Sequence, residues 1–454
     1  MKIIIIGAGP GGYETAVLAA KRGLEVVLVE AGQVGGTCLN EGCIPTKSFC
    51  RNAEMLDGLR AAESFGITDL EFKFDFKSVV SRKNSVVEQL RGGVESLLGH
   101  KNITLVRGKA SFKDDHTVYV IPSDAEDAPQ EYAADYIIIA TGSISASLPV
   151  PGANLPGVLT SREILDVENV PRRLCVIGGG VIGLEFASVF RSFGSEVTVL
   201  EYCKDILPRF DTDLAKRLKL SLGRRGIEIN TQSQVTGIEH DGTEYKVTYT
   251  RKGKEEYAVA DKILMAVGRK ANVASLNLAD IGVEFNSRGI LVDENTMQTN
   301  IPHIYAVGDI NGRMMLAHAA TFQGIVALDH IMDVENHIDL NVMPAAVFTS
   351  PEAASVGLTE DECKEKGIPV RCLKSFFRAN GKAVTMEETD GFCKLVVSSE
   401  SGTILGCHLL GPHASDIVQE ICAVINKRTT LDEFKDIIHT HPTLTEVLQS
   451  AAHS

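Results

Sequence analysis

Two cysteines lie five positions apart in the glycine-rich stretch GGTCLNEGCIPTK, which covers residues 35–47. In a straight α-helix the Cα atoms of residues i and i+5 are about 8–9 Å apart, whereas a disulfide needs less than about 7 Å. Cys38 and Cys43 can therefore pair only if the backbone between them is distorted, and Gly42 tolerates such a distortion. Pro45 suits an early helical position, so we expect the pair near a helix N-terminus, where the dipole favours thiolate.

Three kinds of site fit this cysteine pair on residue type alone: a redox-active pair, two ordinary buried thiols, and half of a zinc site. A zinc site needs further ligands at matching spacing. The only close pair of histidines, His439 and His441, lies in a different pattern near the C-terminus. Redox pairing is the interpretation that we adopt, and the sequence predicts no metal site.

A second set of reactive side chains lies in HTHPTLTE, residues 439–446. Histidine exchanges protons near neutral pH, and a carboxylate on the far side of its ring fixes the tautomer. His441 and Glu446 supply these two groups. The spacing of Thr443 and Glu446 before a helix-period stretch also fits a capping box, in which the carboxylate only satisfies a backbone N–H.

Two copies of one pattern predict the elements that position these residues. Residues 2–30 and 173–201 each contain an apolar run, a G-x-G-x-x-G turn, a helix-period stretch and a second apolar run ending in Glu. Such a βαβ unit binds a dinucleotide, because glycines let the backbone approach a pyrophosphate at a helix N-terminus and the acid accepts hydrogen bonds from a ribose. The predicted residues are Gly7, Gly9, Gly12 and Glu30 in the first copy and Gly178, Gly180, Gly183 and Glu201 in the second.

Apolar strand patterns close both units, and the pattern changes to alternating strands and a helix after residue 340. The sequence therefore predicts an α/β fold with two Rossmann-like dinucleotide-binding domains, the second inserted in the first, and a C-terminal α+β domain. The predicted boundaries are 1–145 for the first domain, 146–268 for the inserted domain, 269–340 for the return to the first domain, and 341–454 for the terminal domain.

Composition excludes several classes of protein. The 454 residues carry a formal net charge of −14 and no Trp, so the basic surface of a nucleic-acid binder is missing. No apolar run approaches the roughly 18 residues of a membrane span. Ten scattered cysteines are too few for a secreted disulfide framework, so we expect a reducing compartment and a cytoplasmic location.

The chain resembles the pyridine nucleotide–disulfide oxidoreductase family over essentially its whole length. Besides the cysteine stretch and HTHPTLTE, the resemblance is carried by GAGPGG (7–12), ATGS (140–143), GGGVIGLE (178–185), AVGDI (306–310), MLAHAA (315–320) and PEAASVGLTE (351–360). It implies FAD as the first dinucleotide, NAD as the second, a homodimer joined through the C-terminal domain, and a redox-active Cys38–Cys43 disulfide against the flavin.

The resemblance also implies roles for single residues. Cys43 is the thiol nearest the flavin and Cys38 the interchange thiol, while His441 is the base, Glu446 orients it, and His439 is a non-catalytic neighbour. Lys47 forms an ion pair with Glu185 beside the flavin. The remaining FAD residues are Gly36, Thr37, Ala110, Thr141, Gly142, Asp309, Ala317 and His318, and the remaining NAD residues are Val235 and Gly268.

Two positions depart from the family pattern. Glu41 replaces an apolar residue between the cysteines, where its charge tends to raise thiol pKa values, and Ala271 replaces a proline. The tail HTHPTLTE is similar to that of lipoamide-oxidising members, so we expect oxidation of protein-bound dihydrolipoamide with reduction of NAD+, and lipoylated domains of a 2-oxoacid dehydrogenase or glycine cleavage complex as partners. Another NAD(P)H-dependent disulfide reductase and a docking subunit with little turnover are the alternatives.

Overall fold

A computed structural model describes residues 1–124 and 126–454. The α-helices in these residues are α1 (Pro10–Lys21), α2 (Gly36–Glu41), α3 (Cys43–Arg60), α4 (Phe76–Leu98), α5 (Val181–Phe193), α6 (Thr212–Arg224), α7 (Ala317–Ile331), α8 (Glu360–Glu365), α9 (Gly381–Thr385), α10 (Ala414–Asn426), α11 (Leu431–Lys435) and α12 (Glu446–Ala452). Short 3₁₀ helices cover Ala62–Phe65, Glu163–Asp166, Gly308–Asn311 and Phe377–Ala379.

The β-strands follow in chain order. They are β1 (Lys2–Ile6), β2 (Glu25–Glu30), β3 (Ile103–Phe112), β4 (Thr117–Pro122), β5 (Gln130–Ala133), β6 (Tyr136–Ile139), β7 (Ser143–Ser145), β8 (Val158–Leu159), β9 (Arg173–Ile177), β10 (Glu196–Glu201), β11 (Ile227–Thr231), β12 (Ser233–His240), β13 (Tyr245–Arg251), β14 (Lys254–Ala260), β15 (Lys262–Met265), β16 (Arg269–Ala271), β17 (Ile304–Ala306), β18 (Ala345–Val347), β19 (Glu352–Gly357), β20 (Val370–Phe376), β21 (Phe392–Ser398) and β22 (Ile404–Gly411).

The chain divides into two compact units. The first contains residues 1–48, 78–146 and 268–340, and the second contains residues 49–77, 147–267 and 341–454. The predicted assignment of each domain to one cofactor remains a prediction. No helix within residues 1–124 and 126–454 combines the length and apolar content that crossing a membrane demands.

The first unit is built on a seven-stranded sheet with the order β17-β6-β1-β2-β3-β4-β5. The strands from β17 to β3 run parallel, and β4 and β5 extend the sheet antiparallel as a meander. Ile3, Ile4 and Ile5 of β1 are fully buried, as expected for a central strand covered on both faces. The strand β1 therefore lies in the apolar core of the first unit. The same unit contains a separate two-stranded sheet, in which β7 pairs with β16.

The second unit combines three sheets. Residues 147–267 supply the parallel sheet β11-β10-β9-β15-β8 and the antiparallel sheet β12-β13-β14. Residues 341–454 supply the antiparallel sheet β18-β19-β22-β21-β20 with α10 and α12 packed on it. The predicted fold class is confirmed: dinucleotide-type parallel sheets occur twice, and an α+β segment follows them.

Close backbone packing explains the third glycine of each predicted turn. A Cβ atom at Gly12, in α1, would lie 1.8 Å from the carbonyl oxygen of Gly7. A Cβ atom at Gly183, in α5, would lie 2.0 Å from the carbonyl oxygen of Gly178. These distances are far below van der Waals contact, so each helix can sit on its turn only because a glycine is present.

Replacing Gly12 by Ala is therefore expected to destabilise the protein by about 1–3 kcal/mol, because the added methyl group forces the helix away from the turn. Urea unfolding measures the change. Gly93→Ala in α4 is the matched control, since a Cβ there meets nothing within 4 Å, and it should stabilise by about 0.5–1 kcal/mol. Equal unfolding free energies for the two variants would contradict the packing argument.

Candidate active site

The first glycine turn is held by the carboxylate at the end of β2. The backbone N–H of Ala8 donates to Glu30 Oε2 (2.6 Å), and the N–H of Gly32 donates to Glu30 Oε1 (2.7 Å). Gly7 adopts φ +104°, which favours glycine. A carboxylate offers about four acceptor positions, so Glu30 keeps capacity for the ribose hydroxyls that the sequence predicts.

The second turn repeats this arrangement. The N–H of Gly179 donates to Glu201 Oε2 (2.5 Å), and the N–H of Cys203 donates to Glu201 Oε1 (2.6 Å). Gly178 adopts φ +112°, and Gly9 and Gly180 stand at the N-caps of α1 and α5. Each turn therefore combines bare glycine backbone, the N-terminus of a helix of 12 or 13 residues and a bound carboxylate, which suits a dinucleotide.

The cysteine segment breaks where the sequence analysis requires a distortion. Cys38 lies in the short helix α2, which starts after Gly35 at φ 95° and ends at Gly42 with φ −141° and ψ −109°. Cys43 is the first residue of α3. The two cysteines thus belong to two helices that meet at Gly42, so the long separation in a straight helix does not apply.

Glycine also places this segment against the first turn. The N–H of Gly35 donates to the carbonyl oxygen of Ala8 (2.7 Å). A Cβ at Gly36 would lie 2.6 Å from the Cα atom of Gly9. Backbone therefore touches backbone here, and the cysteine helix lies beside the predicted dinucleotide turn.

The thiols of Cys38 and Cys43 are neighbours. A hydrogen bond to Cys43 raises the pKa of Cys38 well above the ordinary value, and burial and the charge of Cys43 act in the same direction. The nearby Lys47 ammonium lowers it in part. The expected stabilisation of thiolate by the helix dipole is therefore outweighed at Cys38, and the proton stays on this thiol.

The structure gives no support to a zinc site at the cysteine pair. Within residues 1–124 and 126–454, one group of three potential metal ligands lies close together, namely Asp115, His116 and His303. It includes neither cysteine of the pair. The rings of His116 and His303 stack at 3.8 Å between centroids. The ligand atoms of these three residues lie within 4.8 Å of one another, apart from the cysteine pair in sequence.

A polar cluster surrounds Asp309. The Ser143 hydroxyl donates to Asp309 Oδ2, while Arg269 donates from Nε to Ser143 Oγ (2.6 Å) and from Nη2 to the Ser143 carbonyl (2.7 Å). Gln323 accepts from the N–H of Gly308 (2.7 Å) and so holds the turn that presents Asp309. Sequence reasoning missed Ser143 and Arg269 as site residues, although Ser143 ends the ATGS motif and Arg269 lies two residues before Ala271.

The other predicted residues of the first unit fall on several elements. The N–H of Asn272 donates to the carbonyl oxygen of Gly142 (3.0 Å), and the Thr141 hydroxyl donates to that of Asn272 (3.1 Å). Thr37 lies 3.5 Å from Arg269 Nη2. Ala110 is buried in β3, Ala317 begins α7, and the next residue, His318, is exposed.

Three predicted residues occupy the inserted segment or its boundary. Val235 lies in β12 beside a bulge, and Gly268 adopts φ +116° at the return to the first unit. Glu185 is buried in α5 and accepts from the N–H of Phe348 (3.0 Å). Because Glu185 belongs to the second unit and Lys47 to the first, their ion pair remains a prediction.

His441 and Glu446 form the hydrogen-bonded pair that the C-terminal motif predicts. His441 Nδ1 lies 2.9 Å from Glu446 Oε1, and the N–H of Thr443 donates to Glu446 Oε2 (2.8 Å). These two hydrogen bonds, that from Thr443 first, lower the pKa of Glu446. The carboxylate thus contacts the histidine with one oxygen and accepts from a backbone N–H with the other. The capping box that the spacing allowed does not form, because α12 begins at Glu446 with Thr445 at its N-cap and without a side-chain cap. The catalytic role of the pair stays a prediction.

Comparison with known proteins identifies the arrangement. The family model described as pyridine nucleotide-disulphide oxidoreductase matches residues 1–324, and the model of its dimerisation domain matches residues 343–452. The chain belongs to the pyridine nucleotide-disulphide oxidoreductase family. This family consists of FAD-dependent disulfide oxidoreductases, so the chain is an oxidoreductase with FAD and NAD as cofactors, and its dimerisation domain supports a homodimer.

Two similar family members are both named dihydrolipoyl dehydrogenase. The dihydrolipoyl dehydrogenase of Chlamydia muridarum is 40% identical over 451 residues, covering 99% of this chain and 95% of that protein. That of Geobacillus stearothermophilus is 39% identical over 450 residues with the same coverage.

Solved structures of family members agree in fold. LpdA from Mycobacterium tuberculosis has a TM-score of 0.92 at 26% identity, covering 100% of this chain and 99% of that chain. A Cu(II) complex of the HOCl-induced flavoprotein disulfide reductase RclA from Escherichia coli has a TM-score of 0.89 at 30% identity, covering 100% of this chain and 98% of that chain.

Replacing Cys43 by Ala removes the hydrogen-bond partner of Cys38, so the pKa of Cys38 should fall toward the ordinary thiol value of about 8.5. Alkylation of Cys38 by iodoacetamide near pH 8 should then accelerate about tenfold or more, because the thiolate is the reactive form. Mass spectrometry of the reduced enzyme locates the label. Lys47→Gln is the control with the opposite sign, because it removes a positive charge that lowers the pKa of Cys38 and should slow alkylation. Unchanged alkylation of Cys38 in Cys43→Ala would contradict the assignment.

Proposed function

We propose that this chain acts as a dihydrolipoyl dehydrogenase, oxidising protein-bound dihydrolipoamide to lipoamide and reducing NAD+. The observation that carries the proposal is the pair of adjacent thiols, Cys38 and Cys43, held against the first glycine turn. The His441–Glu446 pair adds a base of the kind that thiol chemistry needs. Relatives about 40% identical over nearly the full chain carry this name.

The two glycine turns are the proposed cofactor sites, with FAD at the first and NAD at the second. Bound FAD would supply two-electron transfer between the cysteine pair and NAD. The proposed FAD residues are Gly7, Gly9, Gly12, Glu30, Gly36, Thr37, Lys47, Ala110, Thr141, Gly142, Asp309, Ala317 and His318. The proposed NAD residues are Gly178, Gly180, Gly183, Glu185, Glu201, Val235 and Gly268.

The proposed chemistry of the chain itself is thiol–disulfide interchange. One thiol of dihydrolipoamide loses its proton to His441 and attacks Cys38 of the oxidised pair, and Cys43 leaves as a thiolate. The second lipoyl thiol then attacks the mixed disulfide, which releases lipoamide and the Cys38 thiol. The raised pKa of Cys38 supports this division, because it keeps the proton on Cys38 in the reduced pair. Glu446 stabilises the imidazolium that forms.

The proposed setting follows from the cysteine content. Ten scattered cysteines are too few for a secreted disulfide framework, so we propose a reducing compartment and a cytoplasmic location. Its proposed partners are lipoylated domains of a 2-oxoacid dehydrogenase or glycine cleavage complex. Another NAD(P)H-dependent disulfide reductase of the family remains the competing assignment, and the substrate comparison below tests the glutathione-type reductase among these.

A substrate panel tests the proposed reaction. The FAD-loaded enzyme should reduce NAD+ with dihydrolipoamide at least about a hundredfold faster than with reduced glutathione, the contrast that specific recognition gives. Cys43→Ser should abolish this turnover, because no disulfide can form, while a Cys372→Ser control should leave it unchanged. Lipoamide turnover in Cys43→Ser would refute the role of the pair.

Preference for NAD over NADP follows from Glu201. A 2′-phosphate carries about −1.5 to −2 charge at pH 7, and it would face a buried carboxylate with only Lys204, and no arginine, among the next five residues. We expect a catalytic efficiency with NADH about a hundredfold above that with NADPH, equivalent to about 2.7 kcal/mol. Comparable efficiencies in a steady-state comparison would contradict the proposed ribose contact.

We further propose that His441 and Glu446 of one subunit serve the cysteines of the other. A hybrid dimer of one Cys43→Ser chain and one His441→Gln chain then retains one site with both wild-type groups, so activity should reappear although both parent dimers are nearly inactive. Differently tagged chains allow the hybrid to be isolated. A dimeric, FAD-loaded hybrid as inactive as its parents would exclude a shared site.

A further inference from the structure

The first histidine of HTHPTLTE has a carboxylate partner of its own. His439 Nε2 lies 2.9 Å from Glu420 Oε1, and His439 Nδ1 lies 3.1 Å from the carbonyl oxygen of Ile437. The side chain of His439 is 4% exposed, whereas that of His441 is 78% exposed. The loop between α11 and α12 therefore carries two histidines that each contact a carboxylate from a neighbouring helix; the ring of His439 is buried and that of His441 is open.

Both ring nitrogens of His439 face oxygen atoms that accept hydrogen bonds. A carbonyl oxygen cannot donate, so Nδ1 must carry a proton, and the contact between Nε2 and Glu420 needs a second proton shared between ring and carboxylate. A general base needs a nitrogen with an available lone pair. His439 has none while these hydrogen bonds persist, so it cannot replace His441 as the base.

The buried pair ties the loop to its surroundings. Glu420 lies in α10, and the His439 ring packs edge-on against Phe434 of α11 with 5.8 Å between centroids. The carbonyl oxygen of Ile437 also accepts from Gln449 Nε2 of α12 (3.3 Å). One residue separates His439 from the exposed His441, so the contacts of the buried ring also restrain the backbone that presents the base.

The charge of the buried pair also reaches the exposed pair. The pKa of Glu446 is lowered mainly by the hydrogen bonds from Thr443 and His441, and the positive charge of His439 contributes to the lowering. An ionised Glu446 is what holds His441 in the tautomer with a proton on Nδ1, which leaves Nε2 free to accept a proton. The two hydrogen bonds already keep Glu446 ionised near neutral pH, so His439 supports the base mainly through the backbone that it holds.

We propose that His439 and Glu420 are positioning residues for His441. They fix the backbone of residues 437–441, while His441 alone exchanges the proton. This inference rests on the proposed function, in which His441 takes a proton from dihydrolipoamide.

The test compares Glu420→Gln and His439→Gln in the FAD-loaded dimer. The Glu420→Gln substitution keeps the shape of the side chain and an acceptor oxygen, so it removes charge with little change in packing. The kcat for dihydrolipoamide oxidation should fall about 10- to 100-fold, the cost of a misplaced catalytic group, while KM changes less than about twofold. NADH-dependent reduction of an artificial electron acceptor should stay unchanged, because it needs no proton transfer from a thiol.

The double variant should be no slower than the slower single variant, because residues that act as one unit are not additive. The matched control is His413→Gln, which removes an exposed histidine–carboxylate contact at the start of α10, where His413 Nδ1 lies 3.6 Å from Asp416 Oδ2. This variant should leave kcat unchanged. An inactive parent enzyme would contradict the proposed function. If the parent is active and both variants keep a kcat within twofold of the parent value, the positioning role is wrong. An equal loss of kcat and of NADH-dependent reduction of the artificial electron acceptor would also overturn it.

Discussion

The peptide group of Ala8 joins three parts of the first unit. Its N–H donates to Glu30 at the end of β2, and its carbonyl oxygen accepts from Gly35 at the start of the cysteine segment. The glycine turn, the acid and the cysteine segment are therefore fixed relative to one another by the two hydrogen bonds of this peptide group. Because these groups are buried or half-buried, leaving either one without a partner costs about 1–3 kcal/mol.

Small residues let this arrangement form. Gly36 packs on Gly9 so closely that a side chain at Gly36 would overlap the turn, and Gly42 redirects the chain between the two cysteines. The second copy of the turn has the same carboxylate hydrogen bonds at Glu201. Only the first copy is followed by a pair of adjacent thiols, Cys38 and Cys43.

The sequence predicts those features that depend on short-range patterns. The strands, the glycine turns and the acids at their ends follow from apolar periodicity and fixed spacing, and the structure contains them. The contact between Ser143 and Arg269 joins residues 126 positions apart, and that between His439 and Glu420 joins different elements. No local pattern specifies such partners, because they are set by strand pairing and helix packing. The pKa of Cys38 likewise depends on a neighbouring thiol whose position the bend at Gly42 determines.

The most direct test of the account asks whether the cysteine pair itself accepts electrons from dihydrolipoamide. Oxidised, FAD-loaded enzyme is treated anaerobically with one equivalent of dihydrolipoamide and alkylated in denaturant, where the pKa of Cys38 is no longer raised. Mass spectrometry locates the label before and after treatment. The account predicts that Cys38 and Cys43 resist alkylation at first and both become labelled afterwards. Labelling of the pair that is the same before and after treatment would contradict it.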